Sequence, residues 1–268
     1  MDFLPIKELE NKSKELRRNT LQIVCDKKEG HIGGALSIIE IMISLYGAKP
    51  YYGGVIKEED KFILSKGHSC IPYYLLLQER GFNPKIAGHP DRDPKNGIYC
   101  TTGSLGHGLP MGIGMALGKR LKRERGDVYV LMGDGECQEG TTWEGILQAS
   151  QNKLNNLTAI IDYNGLQILG GTEDILSIKC LPKVFDICGW NVSEIGGHSY
   201  EEIIPALKSV HENKPHAIIA HTIKGKGISF MENNCGWHGI IPNEEQLKAA
   251  LEEIKYFKIA LTSQINKH

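Results

Sequence analysis

The sequence predicts an α/β protein built on a largely parallel sheet with helices on both faces. Three observations carry that expectation. Short apolar, β-prone runs at 127–132, 157–162, 191–195 and 216–222 alternate with segments of helical periodicity. The glycine- and histidine-bearing motifs fall where those runs end, which is where sheets of this kind bind ligands. No internal repeat, low-complexity tract or Pro/Ser-rich linker interrupts the 268 residues, so one domain over 1–268 is expected.

The elements follow in order. Residues 7–25 place Leu9, Leu16, Ile23 and Val24 on one face among Lys, Glu and Arg, as an amphipathic helix does. Gly30-His31-Ile32-Gly33-Gly34 breaks that pattern before an apolar helix at 35–46. Residues 61–65 form a short strand ending at Lys66-Gly67-His68, and 71–80 a helix. Pro, Asp and Gly make 81–102 a loop. Small residues give a helix at 106–125 with a basic end (Lys119, Arg120, Lys122, Arg123). The strand at 127–132 passes through a Gly-Asp-Gly turn into a helix reaching about residue 152. Strands at 157–162, 191–195 and 216–222 follow, with a helix at 201–212 before the last. An amphipathic helix at 244–264 closes the chain.

Composition narrows the function classes. A net charge of −1 and a pI near 6.8 provide no global field for nucleic acid or an anionic membrane. An anionic ligand must therefore be held by local groups. Seven cysteines without a C-x-x-C pair argue against both a disulfide framework and a zinc knuckle, and suit a reducing compartment. The charged N-terminus lacks the apolar core of a signal peptide, and no apolar run is long enough to span a bilayer. A soluble, cytoplasmic protein with no nucleic-acid or membrane partner is expected.

The chemistry concentrates at Gly133-Asp134-Gly135-Glu136, where a strand ends. Glycines let the backbone turn sharply and approach a bulky ligand, and the following helix offers free N–H groups to an anion. Asp134 is then placed to hold a hard cation bridging that anion. Thirty residues later comes Asp162-Tyr163-Asn164-Gly165-Leu166 at the next strand end. Neighbouring strand ends lie about 5 Å apart, so the Asp134 carboxylate and Asn164 amide meet at one metal. An all-oxygen set suits Mg²⁺ or Ca²⁺ rather than zinc. Asp-Gly after a strand is also common in ordinary turns; the pairing with Asn164 separates the two cases. Gly112, Gly114 and Gly118 mimic a dinucleotide fingerprint, but no strand precedes them, so they read as close helix packing. The Lys-Gly-Lys-Gly at 224–227 lacks the rest of a phosphate-binding loop.

Gly-Asp-Gly followed thirty residues later by Asn resembles the thiamine-diphosphate signature, and 133–140 (GDGECQEG) looks like its transketolase version. Further segments match that family in order. They are Gly30-His31 with Gly33-Gly34-Ala35-Leu36-Ser37, then Leu64-Ser65-Lys66-Gly67-His68, Gly88-His89-Pro90 and Thr102-Gly103-Ser104-Leu105-Gly106. Gly236-Trp237-His238-Gly239 completes the set, and the resemblance covers nearly the whole chain.

The resemblance implies a divalent metal, Mg²⁺ or alternatively Ca²⁺, on Asp134, Asn164 and the Leu166 carbonyl. It implies Gly135, His68 and His238 facing the diphosphate, with Gly133 and Glu136 in the same cofactor-binding segment. Gly103 and Leu105 would contact the thiamine body, and Ile168 would pack on its rings. His31, His68, His89 and His238 would line the channel to the thiazolium, binding sugar hydroxyls and moving protons. Glu139 and Glu144 would lie at the interface between two chains and link two active sites; a solvated first helical turn is their plainer reading. His107 stands where full-length members carry Gln. His198, His211, His216, His221 and His268 read as ordinary surface or core residues, and Cys137 as packing. Tyr163 and Leu169 depart from the usual family residues.

In the family, the glutamate that activates the aminopyrimidine and the arginines that grip the sugar phosphate belong to a second domain, for which the chain leaves no segment. The resemblance therefore implies half of a two-chain, α₂β₂ transketolase whose partner carries the pyrimidine-binding domain. The reaction implied is transfer of a two-carbon ketol unit from a ketose phosphate to an aldose phosphate, in the pentose phosphate pathway or a specialised one. The rivals are a deoxyxylulose-phosphate-synthase-like condensation and a non-catalytic, cofactor-binding regulatory chain.

Overall fold

Five strands form one parallel sheet in the order β1-β2-β3-β5-β4. They are β1 (Lys61–Leu64), β2 (Val128–Gly133), β3 (Leu157–Tyr163), β4 (Asn191–Gly196) and β5 (His216–His221). The structure is a computed structural model and describes residues 3–47 and 53–255. The sheet and its helices make the α/β fold that the alternating pattern predicts.

Strand side chains alternate between two cores. Along β2, Tyr129 and Leu131 enter one core while Val128, Val130 and Met132 enter the other. The first core is closed by α1 (Ile6–Lys27), α2 (Ile32–Ser37), α3 (Ile39–Tyr46), α4 (Ile71–Glu79), α9 (Tyr200–Lys208) and α10 (Glu244–Glu253). The second is closed by α5 (Gly108–Lys122), α6 (Gly140–Gln151) and α8 (Leu181–Ile187). Those three helices connect β1 to β2, β2 to β3 and β3 to β4, all advancing across the sheet. Only α9 brings the chain back, from β4 to β5, and it lies on the opposite face. Right-handed crossovers require that switch of face when the direction reverses. The loops at the carboxyl ends of β1, β2, β3 and β5 are thereby gathered on one rim.

Several elements differ from expectation. The helix expected at 35–46 is two helices, broken at Ile38. Ser37 Oγ sits at the break, 2.9 Å from the Gly34 carbonyl and 2.7 Å from Asp162 Oδ2, and back-bonding of this kind bends helices. The helix expected at 201–212 stops at Lys208, where Ser209 Oγ takes the Ala206 carbonyl. Two short helices went unread between β3 and β4: α7 (Thr172–Leu176) and α8. Each is under two turns, too short for periodicity to register. The closing helix is described as α10, starting in a capping box of Asn243 and Gln246; positions 256–264 of the expected helix lie outside the described residues. All seven cysteines are free. Among the described residues no helix is long and apolar enough to cross a membrane.

Candidate functional site

Parallel register pairs Gly133 at the end of β2 with Asp162 near the end of β3. That places Asp134 directly over the turn after β3. Its Oδ1 accepts from the Gly135 N–H and its Oδ2 from the Gly165 N–H, both at 2.6 Å. Gly165 has φ +75°, a conformation that side-chain-bearing residues rarely adopt, and this aims its N–H at the carboxylate. Asn164 donates from Nδ2 to Asp162 Oδ2 at 3.0 Å, so its amide oxygen faces the other way. There Oδ1 accepts from the Leu166 N–H at 3.1 Å and keeps a lone pair free.

The buried carboxylate of Asp134 is pushed up to about 6, by burial first and then by the charge of Asp162. Its anionic form is thus disfavoured by its surroundings. The nearby Asp162 is the opposite case. Burial would raise it, but the Lys66 ammonium and hydrogen bonds from Lys66, Thr222 and Ser37 hold it below the usual carboxylate range. Asp162 therefore ties together the ends of α2, β1, β3 and β5, and leaves Asp134 as the carboxylate available to a ligand.

Four histidines from four separate loops meet above this rim. The His31 ring centroid lies 5.3 Å from His68, 5.6 Å from His89 and 5.2 Å from His238. The loop of His89 is fixed at two points: Gly88 N–H binds Glu29 at 2.9 Å, and Tyr74 Oη donates to the His89 carbonyl at 3.0 Å. Gly103 has φ +133°, and a Cβ there would stand 2.7 Å from the His89 ring, so only glycine leaves that ring its place. Burial keeps His31, His68 and His238 neutral, the last pushed down to about 4. His31 Nδ1 is buried with no hydrogen-bond partner among the described residues.

Two residues that the sequence did not single out complete the rim. Lys224, 2% exposed, lies on the loop after β5. Its ammonium donates to the carbonyls of Leu166 and Gln167 at 3.2 and 3.3 Å and stands 3.0 Å from His238 Nδ1. Burial pulls it down to about 8. Gln167 reaches over Gly135, where a Cβ would meet it at 2.9 Å. The only available signal was the Lys-Gly-Lys-Gly at 224–227, read against a phosphate-loop pattern that it does not satisfy.

The other expected residues are placed as follows. Glu136 is 2% exposed, and its carboxylate is taken up by Ser65 Oγ and the N–H groups of Gly106 and Gly133. It braces the loop of Gly103 and Leu105 against the end of β2, with both oxygens spent inside the chain. Glu139 and Glu144, at the start of α6, are exposed. Cys137 is fully buried, and burial pushes its thiol up, as a packing residue requires. Tyr163 packs its ring on His221. Leu105, Ile168 and Leu169 are exposed, Leu169 at 87%.

The donor set fits a diphosphate held with a hard divalent cation. The Asp134 carboxylate, the Asn164 amide oxygen and the Leu166 carbonyl are all oxygen acceptors, and Lys224 with neutral imidazoles supplies donors. A Cβ added to Gly133 or Gly165 would meet nothing within 4 Å, so the space over the strand ends is open. Among the described residues no group of three or more His, Cys, Asp or Glu could hold a metal on its own.

The family described as "Transketolase, thiamine diphosphate binding domain" matches residues 10–260. The chain is 38% identical over 268 residues to one of the subunits of the apulose-4-phosphate transketolase of Phocaeicola vulgatus, covering 94% of this chain and 95% of that one. It is 35% identical over 266 residues to the 6-deoxy-6-sulfo-D-fructose transketolase subunit SqwG of Clostridium sp. strain MSTE9, covering 92% and 96%. Among solved structures, a transketolase from Leishmania mexicana superposes with a TM-score of 0.83 at 25% identity. That match covers 96% of this chain and 43% of the other, so the chain spans less than half of a full-length transketolase.

Proposed function

The chain belongs to the transketolase family, and from that premise we propose that it is the diphosphate- and metal-binding half of a two-chain transketolase. The observation that carries the reading is the meeting of His31, His68, His89 and His238 over a rim holding Asp134 and Asn164. Asp134, Asn164 Oδ1 and the Leu166 carbonyl would hold Mg²⁺, with Ca²⁺ an alternative. His68, His238 and Lys224 would face the diphosphate, and the Gly135 N–H would join them by exchanging Asp134 Oδ1 for a phosphate oxygen. Leu105 and Ile168, exposed beside them, would lie against the thiamine rings.

Thiamine diphosphate, when bound, supplies the nucleophilic carbon that carries a two-carbon ketol unit. The chain's own residues do the rest. Asp134 offsets the metal's charge, and Lys224 the diphosphate's. His31 Nδ1, buried and unpartnered, is the atom free to exchange a proton with a sugar hydroxyl. A neutral imidazole suits that task, since an unpartnered ring nitrogen can take a hydroxyl proton and hand it back within the site. His89, exposed at the mouth, meets the sugar first. Glu139 and Glu144 face outward where a partner would sit, and we read them as interface carboxylates.

Partner dependence is supported by the relatives named as subunits and by apolar side chains left exposed beside the site: Leu105, Ile168, Leu169, Ile175 and Leu176. We read the chain as one domain over 1–268 in a cytoplasmic α₂β₂ assembly. Because the relatives act on apulose 4-phosphate and 6-deoxy-6-sulfo-D-fructose by name, a specialised ketose is favoured over the pentose phosphate pathway. The test combines this chain with a chain carrying the pyrimidine-binding domain, thiamine diphosphate and Mg²⁺, and follows ketol transfer from a panel of ketoses and ketose phosphates. Transfer should need both chains. Full transfer by this chain alone, or condensation with pyruvate instead, would overturn the reading.

A further inference from the structure

The segment that carries Lys224 is held on both sides by one buried carboxylate. Glu40 of α3 is 6% exposed. Its Oε2 accepts from Arg17 Nη2 at 2.8 Å and lies 2.9 Å from His198 Nδ1. Arg17 donates onward from Nε to the Lys226 carbonyl at 2.9 Å. His198 Nε2 in turn accepts from the Ile223 N–H at 2.9 Å. Ile223 and Lys226 flank Lys224, so each side of the lysine is tied to Glu40 through a single intermediary.

The hydrogen-bond directions fix the protonation pattern. An amide N–H only donates, so His198 Nε2 carries its lone pair and the ring proton sits on Nδ1, facing Glu40. Burial would raise Glu40, yet Arg17 and His198 hold its carboxyl down to about 2. The guanidinium runs close along the loop, since a Cβ on Gly227 would stand 2.9 Å from Arg17 Cδ. His198 lies on the turn after β4, and Glu40 on α3, which packs against α1, α4 and α9. Neither touches the site, and both converge on the loop that enters it.

We propose that His198, anchored by Glu40 and Arg17, is a positioning residue: through the Ile223 N–H it sets where the Lys224 ammonium stands, and so how tightly the chain grips a diphosphate with its metal. This rests on the reading of Lys224 given under Proposed function.

The test titrates the full chain calorimetrically with inorganic pyrophosphate and Mg²⁺. The variants are Lys224→Met, His198→Ala, His198→Gln and the double variant Lys224→Met/His198→Ala. Lys224→Met should weaken binding. His198→Ala should weaken it by about tenfold, the equivalent of one lost charge-assisted contact. Glutamine keeps an acceptor for the Ile223 N–H and should restore most of the affinity. The double variant should bind no more weakly than Lys224→Met alone, because His198 acts through the lysine. Additive losses, or wild-type affinity in His198→Ala, would overturn the positioning role while leaving the site reading intact. Unchanged affinity in Lys224→Met, or no binding by wild type, would instead sink the site reading and the positioning role with it. Nitrogen-15 NMR on the wild type gives a check independent of any variant's folding: His198 found protonated on Nε2 refutes the proposal.

Discussion

Replacing Asp162 with asparagine removes one charge and little else. The carboxylate accepts from Lys66, Ser37 and Asn164 on Oδ2 and from Thr222 on Oδ1. An asparagine oxygen in the Oδ2 position keeps the first three, and its amide group faces Thr222, whose hydroxyl is free to turn and accept. The loss is therefore the anion opposite Lys66, which is 2% exposed and has no route to water. Leaving one partner of a buried pair uncompensated costs about 3–5 kcal/mol, against a total stability of roughly 5–15 kcal/mol. For a chain of this size the thermal midpoint should fall by on the order of 10 °C. The assay is calorimetric unfolding of the full chain at pH 7, with Lys66→Met/Asp162→Asn alongside. The double variant should recover much of the loss, because no buried charge is left alone. The sign against pH is fixed too. A carboxylate held below its ordinary 3.8 stabilises fully above that value and loses its contribution as pH falls through its folded value. The gap between wild type and Asp162→Asn should accordingly close in strong acid. A midpoint within about 2 °C of wild type at pH 7, or a double variant less stable than Asp162→Asn, refutes the reasoning.

Three other outcomes are expected. Asp134→Asn should abolish magnesium-dependent pyrophosphate binding in calorimetry yet shift stability by only about 1 kcal/mol, because relief of a carboxylate raised to about 6 offsets one lost acceptor. Gly103→Ala forces a side chain onto φ +133° and into His89; it should cost about 1–3 kcal/mol in urea unfolding and lower kcat/KM of the two-chain enzyme. His216 is pushed down to about 4, by burial and then by His211, from an ordinary 6.5. The unfolded chain takes up this proton before the folded one does, so stability is full above pH 6.5 and declines as pH falls toward 4. The decline is at most about 3 kcal/mol from this group, and His216→Gln should flatten it in urea midpoints measured from pH 7.5 to 4.

What was legible in the sequence had a local signature. The strands β1 to β5 sit close to their expected positions because apolar runs bounded by turn residues mark them. The spacing put Asp134 beside the turn that carries Asn164, because β2 and β3 are neighbours in the sheet, and its carboxylate takes the Gly165 N–H there. Lys224 and His198 were not legible. Each owes its place to partners far away in sequence: Leu166 and His238 for the lysine, Glu40 and Ile223 for the histidine. A lysine in a glycine loop and a lone histidine after a strand carry no local sign of burial. The brace formed by Glu136 was hidden for the same reason, as two of its three partners, Ser65 and Gly106, precede it by 71 and 30 residues. The break at Ile38 depends on Asp162, 125 residues from Ser37.

The His31, His68 and His238 rings stand so close that a proton on one makes the other two harder to protonate. Part of what holds His68 down is His238 and His31, and part of what holds His238 down is His31. Two unit charges at the 5.2 Å between the His31 and His238 rings would repel by about 3 kcal/mol at an effective dielectric of 20. Near neutral pH these three rings are therefore uncharged, and a proton taken up by one of them opposes a second on its neighbours. A sugar bound across these rings would meet bases, and one of them would become an acid only by taking a proton from the sugar itself.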